Sequence, residues 1–118
     1  MSDWLDLQDK AQLWTTAINL AELRAGVAVL PAGKRKTLLG QGIEQVLGSY
    51  LHGRILYFDE NAADAYAKIF AQAKASGRVI ALIDAQIAAI AKSRGFAVAT
   101  RDLKPFAAAG VEVVDPWK

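Results

Sequence analysis

The pattern of apolar and polar residues alternates between short runs typical of buried strands and longer runs with helical spacing. The short runs combine apolar, β-branched and aromatic side chains, and they comprise residues 13–18, 54–58, 96–100 and 111–114. The longer runs repeat apolar residues at every third or fourth position, and they comprise residues 4–12, 20–30, 34–47, 60–76 and 84–94. Strands that alternate with helices in this way predict a parallel sheet flanked by helices.

Residues 80–102 show this alternation most clearly. Their helical face consists of Ile83, Ile87, Ile90 and Ala91. Gly95 is suited to end the helix, because the left-handed backbone conformation costs glycine little. A helix that starts at Asp84 climbs about 15 Å at ~1.5 Å per residue. The strand predicted at residues 96–100 returns about 16 Å at ~3.3 Å per residue. We therefore expect Asp102 to lie near Asp84.

A third acid, Glu22, follows the strand predicted at residues 13–18 by one helical turn. Sites in open parallel sheets form beyond the carboxyl ends of the strands, so Glu22, Asp84 and Asp102 are expected at one rim. Clustered carboxylates repel one another unless a cation neutralises them. Carboxylate oxygens without histidine or cysteine suit Mg²⁺ or Mn²⁺, which can activate water to attack a phosphodiester.

Each acid also has a purely structural interpretation. Asn19 and Glu22 stand at the N-cap and N3 spacing of a helix, close to a capping box. Asp84 would be stabilised at a helix start by the free N–H groups and the helix dipole. Asp102 would begin a turn. Taken singly these interpretations are favoured, whereas the convergence of all three acids favours a metal site.

Composition narrows the class of protein. The chain has 118 residues, which suits a single domain over residues 1–118. Apolar residues make up 53% and charged residues 22%, as in soluble globular proteins. The absence of cysteine excludes disulfides and thiolate metal sites. We find no signal peptide and no apolar run long enough for a bilayer, so we expect a cytoplasmic protein without a membrane partner.

Several other features carry little functional signal. The formal net charge of +2 permits nucleic-acid binding without arguing for it. His52 is the only histidine and stands in a loop-like context, so histidine chemistry is poorly supported. The basic run at residues 34–36 could contact phosphates, but a solvated helix end is favoured. In the alanine-rich helix at residues 60–76, we expect the core to be formed by one stripe: Ala63, Tyr66, Ala67, Phe70 and Ala73.

Three short segments occur in a characteristic order. They are Asn19-Leu-Ala-Glu22-Leu, Asp84-Ala-Gln-Ile-Ala-Ala-Ile and Thr100-Arg101-Asp102, with Phe106 and Gly110 following. Together they resemble the PIN domain, and most closely the toxin ribonucleases of VapBC and FitAB type toxin–antitoxin pairs. The resemblance also covers Leu30-Pro-Ala-Gly33 and the closing Asp115-Pro-Trp117. No single motif is specific, but the ordered set spans essentially the whole chain.

This resemblance implies a three-layer α/β/α fold and a metal-dependent endoribonuclease, usually dimeric. By motif, Glu22, Asp84 and Asp102 would bind Mg²⁺ or Mn²⁺, with Thr100 beside them as a hydroxyl contact. The partners implied are RNA as substrate, a second copy in a homodimer, and a cognate antitoxin whose tail covers the acidic pocket. A flavodoxin-like phosphotransfer protein with an acidic pocket fits the motif order poorly.

One departure from the family pattern bears on activity. PIN domains open with a central strand that carries a first aspartate, in a pattern like Asp-Thr-Asn, and this sequence has no such segment. Asp3 and Asp6 match a later helix and do not inherit the role. We therefore expect the first, central strand to be missing from this chain and its nuclease activity to be reduced. Three explanations remain open: a truncated or misplaced start, a strand supplied by another chain, or an inactive relative that only binds its partner.

Overall fold

The computed structural model describes residues 14–49, 51–99, 103–111 and 113–114. Within these residues, short strands and helices alternate along the chain. In order they are β1 (Thr15–Thr16), α1 (Ala17–Ala28), α2 (Lys34–Ser49), β2 (Ile55–Leu56), α3 (Glu60–Ala75), α4 (Leu82–Arg94), β3 (Val98–Ala99), α5 (Leu103–Ala108) and β4 (Val113–Val114). The helix predicted at residues 4–12 lies outside the described part. No helix among the described residues is long and apolar enough to cross a membrane.

Among the described residues the predicted elements occur in the predicted order, but the strands are shorter than predicted and α5 lies where a break was expected. The first strand was expected to reach Ile18, whereas α1 already begins at Ala17. The cause is Thr16, which has an extended backbone and accepts a hydrogen bond from the Asn19 N–H. A side-chain cap of this kind starts a helix, and here it prevails over the β propensity of Ile18.

The strands form two parallel pairs. β1 pairs with β2 in the register Thr15 to Ile55 and Thr16 to Leu56. β3 pairs with β4, with Val98 opposite Val113. The predicted parallel arrangement is thus confirmed. Within the described residues, however, the two pairs are separate sheets, and no strand links β1 to β3.

Helix α4 lies at the centre of the core. Its buried residues are Ala85, Ile87, Ala88, Ala89, Ile90 and Ala91. One cluster joins this helix to Ile69 of α3, to Phe106 of α5 and to Val111. A second joins Ile90 to Leu56 of β2 and to α3. Ile18 of α1 packs against both clusters, so a single helix supports both strand pairs.

Two expected core faces require correction. Ile83 is 40% exposed, and Phe70 of the predicted α3 stripe is 52% exposed. The residues of α3 that are buried are Ala62 and Ile69. Because α4 presents mostly alanines, α3 packs close to it through these two side chains. Phe70 lies at the surface and stacks on Tyr66 with ring centroids 6.3 Å apart, and Tyr66 itself is partly buried against the core.

Replacing Gly95 by alanine should destabilise the fold. Gly95 ends α4 with φ +70°, and the next amide, that of Phe96, donates to the Ala91 carbonyl at 2.8 Å. Alanine at this left-handed position should cost about 1 kcal/mol of unfolding free energy. Gly42→Ala is the matched control, because Gly42 lies within α2 and an added Cβ would meet no neighbour within 4 Å. At Gly42, alanine should raise the free energy of unfolding by up to about 1 kcal/mol. Urea unfolding of both variants checks this, and equal destabilisation would contradict it.

Candidate active site

Glu22 lies on α1, exposed and free of a capping role. The predicted capping pair of Asn19 and Glu22 is wrong, because the cap is Thr16. Its Oγ1 accepts from the Asn19 N–H at 3.0 Å and donates to Asn19 Oδ1 at 2.7 Å. Glu22 stands almost one turn further along the helix and is exposed. The spacing of Thr16 and Asn19, an N-cap and N3 pair, was the overlooked signal in the sequence.

No basic side chain among the described residues neutralises Glu22. The nearest basic residue on α1 is Arg24, which binds Glu44 of α2 with 3.1 Å between Nη2 and Oε1. Both partners are largely exposed, so this ion pair contributes little to stability. Residues two apart on a helix do not face each other, and Arg24 is directed toward α2. The Glu22 carboxylate is therefore available for another ligand.

Asp84 lies in the first turn of α4 and is partly buried. The helix begins at Leu82 and not at Asp84 as predicted, and the N-cap, Ala81, forms no side-chain capping bond. The helix dipole stabilises an acid in this turn. Within the described part of the chain, however, we find no side-chain hydrogen bond or ion pair to Asp84.

The connections of the strands are consistent with the predicted placement of Glu22 and Asp84 at one rim, which stays a prediction. The rings of Trp14 and Phe96 lie 6.0 Å apart, and these residues precede β1 and β3, so both strands start at the same end of the molecule. α1 follows β1 directly, which puts Glu22 beyond the carboxyl end of that strand. α4 spans 13 residues before the turn at Gly95, or about 20 Å at ~1.5 Å per residue. A helix of this length is long enough for its first turn, with Asp84, to reach the end where β1 and β3 finish.

The two other predicted site residues, Thr100 and Asp102, lie outside the described residues. The expected proximity of Asp102 to Asp84 thus stays a prediction. Among the residues that the structure describes, no three histidine, cysteine or acidic side chains are placed to hold a metal ion. His52 is exposed in the loop before β2, as predicted. The candidate donors are carboxylate oxygens, which fit a hard cation such as Mg²⁺ or Mn²⁺.

Comparison with known proteins identifies the fold. The family model described as "PIN domain" matches residues 2–111. The chain belongs to the PIN domain family. It is 48% identical over 115 residues to "VapC ribonuclease Y4jK" of Sinorhizobium fredii, an alignment that covers 98% of this chain and 82% of that protein. This PIN domain is thus similar to a VapC protein over nearly its whole length.

Chains in several solved structures share this fold. A chain in the crystal structure of FitAcB from Neisseria gonorrhoeae matches with a TM-score of 0.89 and 46% identity, covering 98% of this chain and 84% of that one. A chain of VapBC-5 from Mycobacterium tuberculosis, a member of the VapBC family of toxin–antitoxin systems, matches with a TM-score of 0.73 and 32% identity, covering 92% and 88%. The expected α/β PIN fold and the likeness to VapC and FitB toxins are confirmed.

Proposed function

We propose that this PIN domain is a metal-dependent endoribonuclease and the toxin of a type II toxin–antitoxin pair. The proposal is supported by the order of the elements, which favours Glu22 and Asp84 at one rim. In the described part of the chain, neither carboxylate caps a helix or joins an ion pair. Membership of the VapC and FitB group supports the same activity, since one relative bears the name of a ribonuclease.

In this proposal Glu22, Asp84 and Asp102 bind Mg²⁺ or Mn²⁺, and the Thr100 hydroxyl lies beside them. When bound, the ion supplies Lewis acidity and an activated water for attack on a phosphodiester. The carboxylates supply the hard oxygen ligands that these ions prefer. The exposure of Glu22 leaves the rim open to an RNA backbone, and the net charge of +2 does not oppose its approach.

Cleavage of a labelled single-stranded RNA tests the proposal. We expect cleavage in Mg²⁺ or Mn²⁺, complete loss of cleavage in excess EDTA, and recovery when the metal is added back. The physical reason is that the site has no histidine or cysteine to act without a metal. Cleavage at the same rate in EDTA would show that the activity does not depend on this site.

The proposed partners are RNA as substrate and a cognate antitoxin, and we also propose a cytoplasmic homodimer. Support for the antitoxin comes from the solved relatives, whose structures contain FitA with FitB and VapB with VapC. Light scattering on this chain alone measures the homodimer. Light scattering after co-expression with the antitoxin encoded beside it measures the toxin–antitoxin complex.

The alternative function is a catalytically inactive PIN module that only binds an antitoxin or another partner chain. The separation of β1 and β3 favours this inactive module. Within the described residues no strand joins the two strand pairs, so the backbone that positions the acids is not continuous. Calorimetry distinguishes the two functions. Tight antitoxin binding without measurable Mn²⁺ binding would favour the alternative, whereas binding of both would favour the nuclease.

A further inference from the structure

Thr16 and Asn19 form a closed hydrogen-bonded pair at the start of α1. The Thr16 Oγ1 accepts from the Asn19 backbone N–H at 3.0 Å and donates to Asn19 Oδ1 at 2.7 Å. Thr16 is only 7% exposed, so both bonds form where the local dielectric is low and hydrogen bonds are stronger. The first bond caps the helix, whereas the second is not needed for capping. The second bond fixes the carboxamide of Asn19, in the first turn after β1.

Fixing the oxygen of this carboxamide also fixes its nitrogen. The two atoms lie on opposite sides of a planar group, so Nδ2 points away from Thr16 with both of its N–H donors. Within the described part of the chain Nδ2 has no acceptor, and no buried side-chain polar atom there lacks a partner. Nδ2 therefore reaches solvent, and Asn19 presents two oriented donors to a ligand.

Asn19 and Glu22 share one face of α1. Side chains three residues apart on a helix are neighbours, with about 5–6 Å between their Cβ atoms. Asn19 and Arg24 are the side-chain donors of α1, and Arg24 is engaged by Glu44 at 3.1 Å. A phosphodiester that approaches Glu22 thus meets the Asn19 carboxamide as the donor that α1 has available.

We propose that Asn19 binds the RNA substrate by donating from Nδ2 to a phosphate oxygen, and that Thr16 is the positioning residue that holds its carboxamide. This inference rests on the proposed function and adds a substrate contact to it. Phosphate oxygens accept hydrogen bonds from neutral asparagine side chains as well as from basic ones. A neutral donor suits this place, because a cationic side chain beside Glu22 would pair with the carboxylate and compete with a metal ion.

Fluorescence anisotropy of a labelled single-stranded RNA, at low salt and in excess EDTA, measures binding without cleavage. Asn19→Ala removes the donors but keeps the backbone N–H that Thr16 caps. We expect it to bind RNA at least about tenfold more weakly, as for the loss of a hydrogen bond to a charged group. Asn19→Asp keeps the oxygen that Thr16 holds and should weaken binding at least as much. Gln72→Glu, at an exposed position of α3, makes the same change of charge and should alter Kd by no more than about twofold.

Two variants test the positioning role of Thr16. Thr16→Ser keeps the hydroxyl and should bind RNA within about twofold of the unaltered chain, because both hydrogen bonds are kept. Thr16→Val removes both bonds and should weaken binding about threefold or more, because binding must then order a freely rotating carboxamide. Thermal unfolding shows whether each variant is folded at the assay temperature. Equal binding by the serine and valine variants would remove Thr16 from this role.

Three results would overturn the Asn19 contact. They are unchanged binding by Asn19→Ala, weakening in Asn19→Asp alone, which would be a charge effect, and no binding of RNA by the unaltered chain. The proposed nuclease fails separately. A chain that binds RNA through Asn19 but does not cleave it in Mn²⁺ would contradict the nuclease and support the contact.

Discussion

Asp84→Asn should reduce Mn²⁺-dependent RNA cleavage by at least about 100-fold. The amide keeps the size of the carboxylate but loses its negative charge. Even residues that only support metal ligands typically cost 10- to 100-fold when they are changed, so loss of a direct ligand should equal or exceed about 100-fold. The fold should be retained, because Asp84 forms no side-chain hydrogen bond within the described residues. Initial rates with labelled RNA, together with thermal unfolding, measure the two effects separately.

The matched control is Asp64→Asn. Asp64 also lies near the start of a helix, α3, but it is exposed and on a different element. Its replacement removes the same charge and should leave cleavage within about twofold, since surface charges act weakly at a distance in salt. Equal rates for the unaltered chain and Asp84→Asn would remove Asp84 from the proposed site. Equal losses in both variants would point to a general charge effect.

Ile90→Ala should cost about 3 kcal/mol of unfolding free energy. Ile90 is 0% exposed and joins α4 to Leu56 and Ala62. Truncating a fully buried isoleucine to alanine costs about 2–5 kcal/mol, because apolar contacts are lost and a cavity remains. Urea unfolding followed by circular dichroism measures this change.

Ile83→Ala is the control on the same helix. Ile83 is 40% exposed, and its truncation removes the same atoms and alters helix propensity in the same sense. We expect it to cost no more than about 1 kcal/mol, in proportion to the smaller area that it buries. Similar losses for both variants would show that α4 is not buried in the way the structure indicates.

Three helix boundaries could be predicted from local sequence. The starts of α2 and α3 at Lys34 and Glu60, and the end of α4 before Gly95, agree with the predicted runs. These boundaries depend on local chemistry, namely a break after the Pro-Ala-Gly turn, a capping aspartate at Asp59 and a glycine in a left-handed conformation. Local interactions of this kind act within a few residues and can be found in the sequence.

The buried faces of the helices were predicted less well, because the neighbouring element decides which face of a helix is buried. The stripe with Phe70 and the stripe actually buried, with Ile69, both have helical spacing, and composition favoured the aromatic one. The alanines of α4 decide between them, since a closely approaching helix accommodates Ala62 and Ile69 better than large rings. That contact joins residues about 20 positions apart, and no short-range pattern contains it.

In the candidate site the sequence correctly placed Asp84 in the first turn of a helix, but it put Glu22 in a first turn as well and assigned the wrong cap. Ser, Thr and Asn are all good N-caps, so the pattern left Thr16 and Asn19 as competitors. Only the three-dimensional hydrogen bonds show that Thr16 caps α1 and that Arg24 is bound to Glu44. These two contacts leave Glu22 available, which the sequence could not establish.

By itself, the sequence determined the order of elements, the parallel α/β class and the PIN resemblance, and it supplied the acids of the candidate site. Each of these follows from spacing and residue chemistry along the chain. Only the tertiary structure decided the length of the strands, the buried face of α3 and the central place of α4. These features depend on which distant segments meet, because burial and strand pairing are properties of neighbours in space.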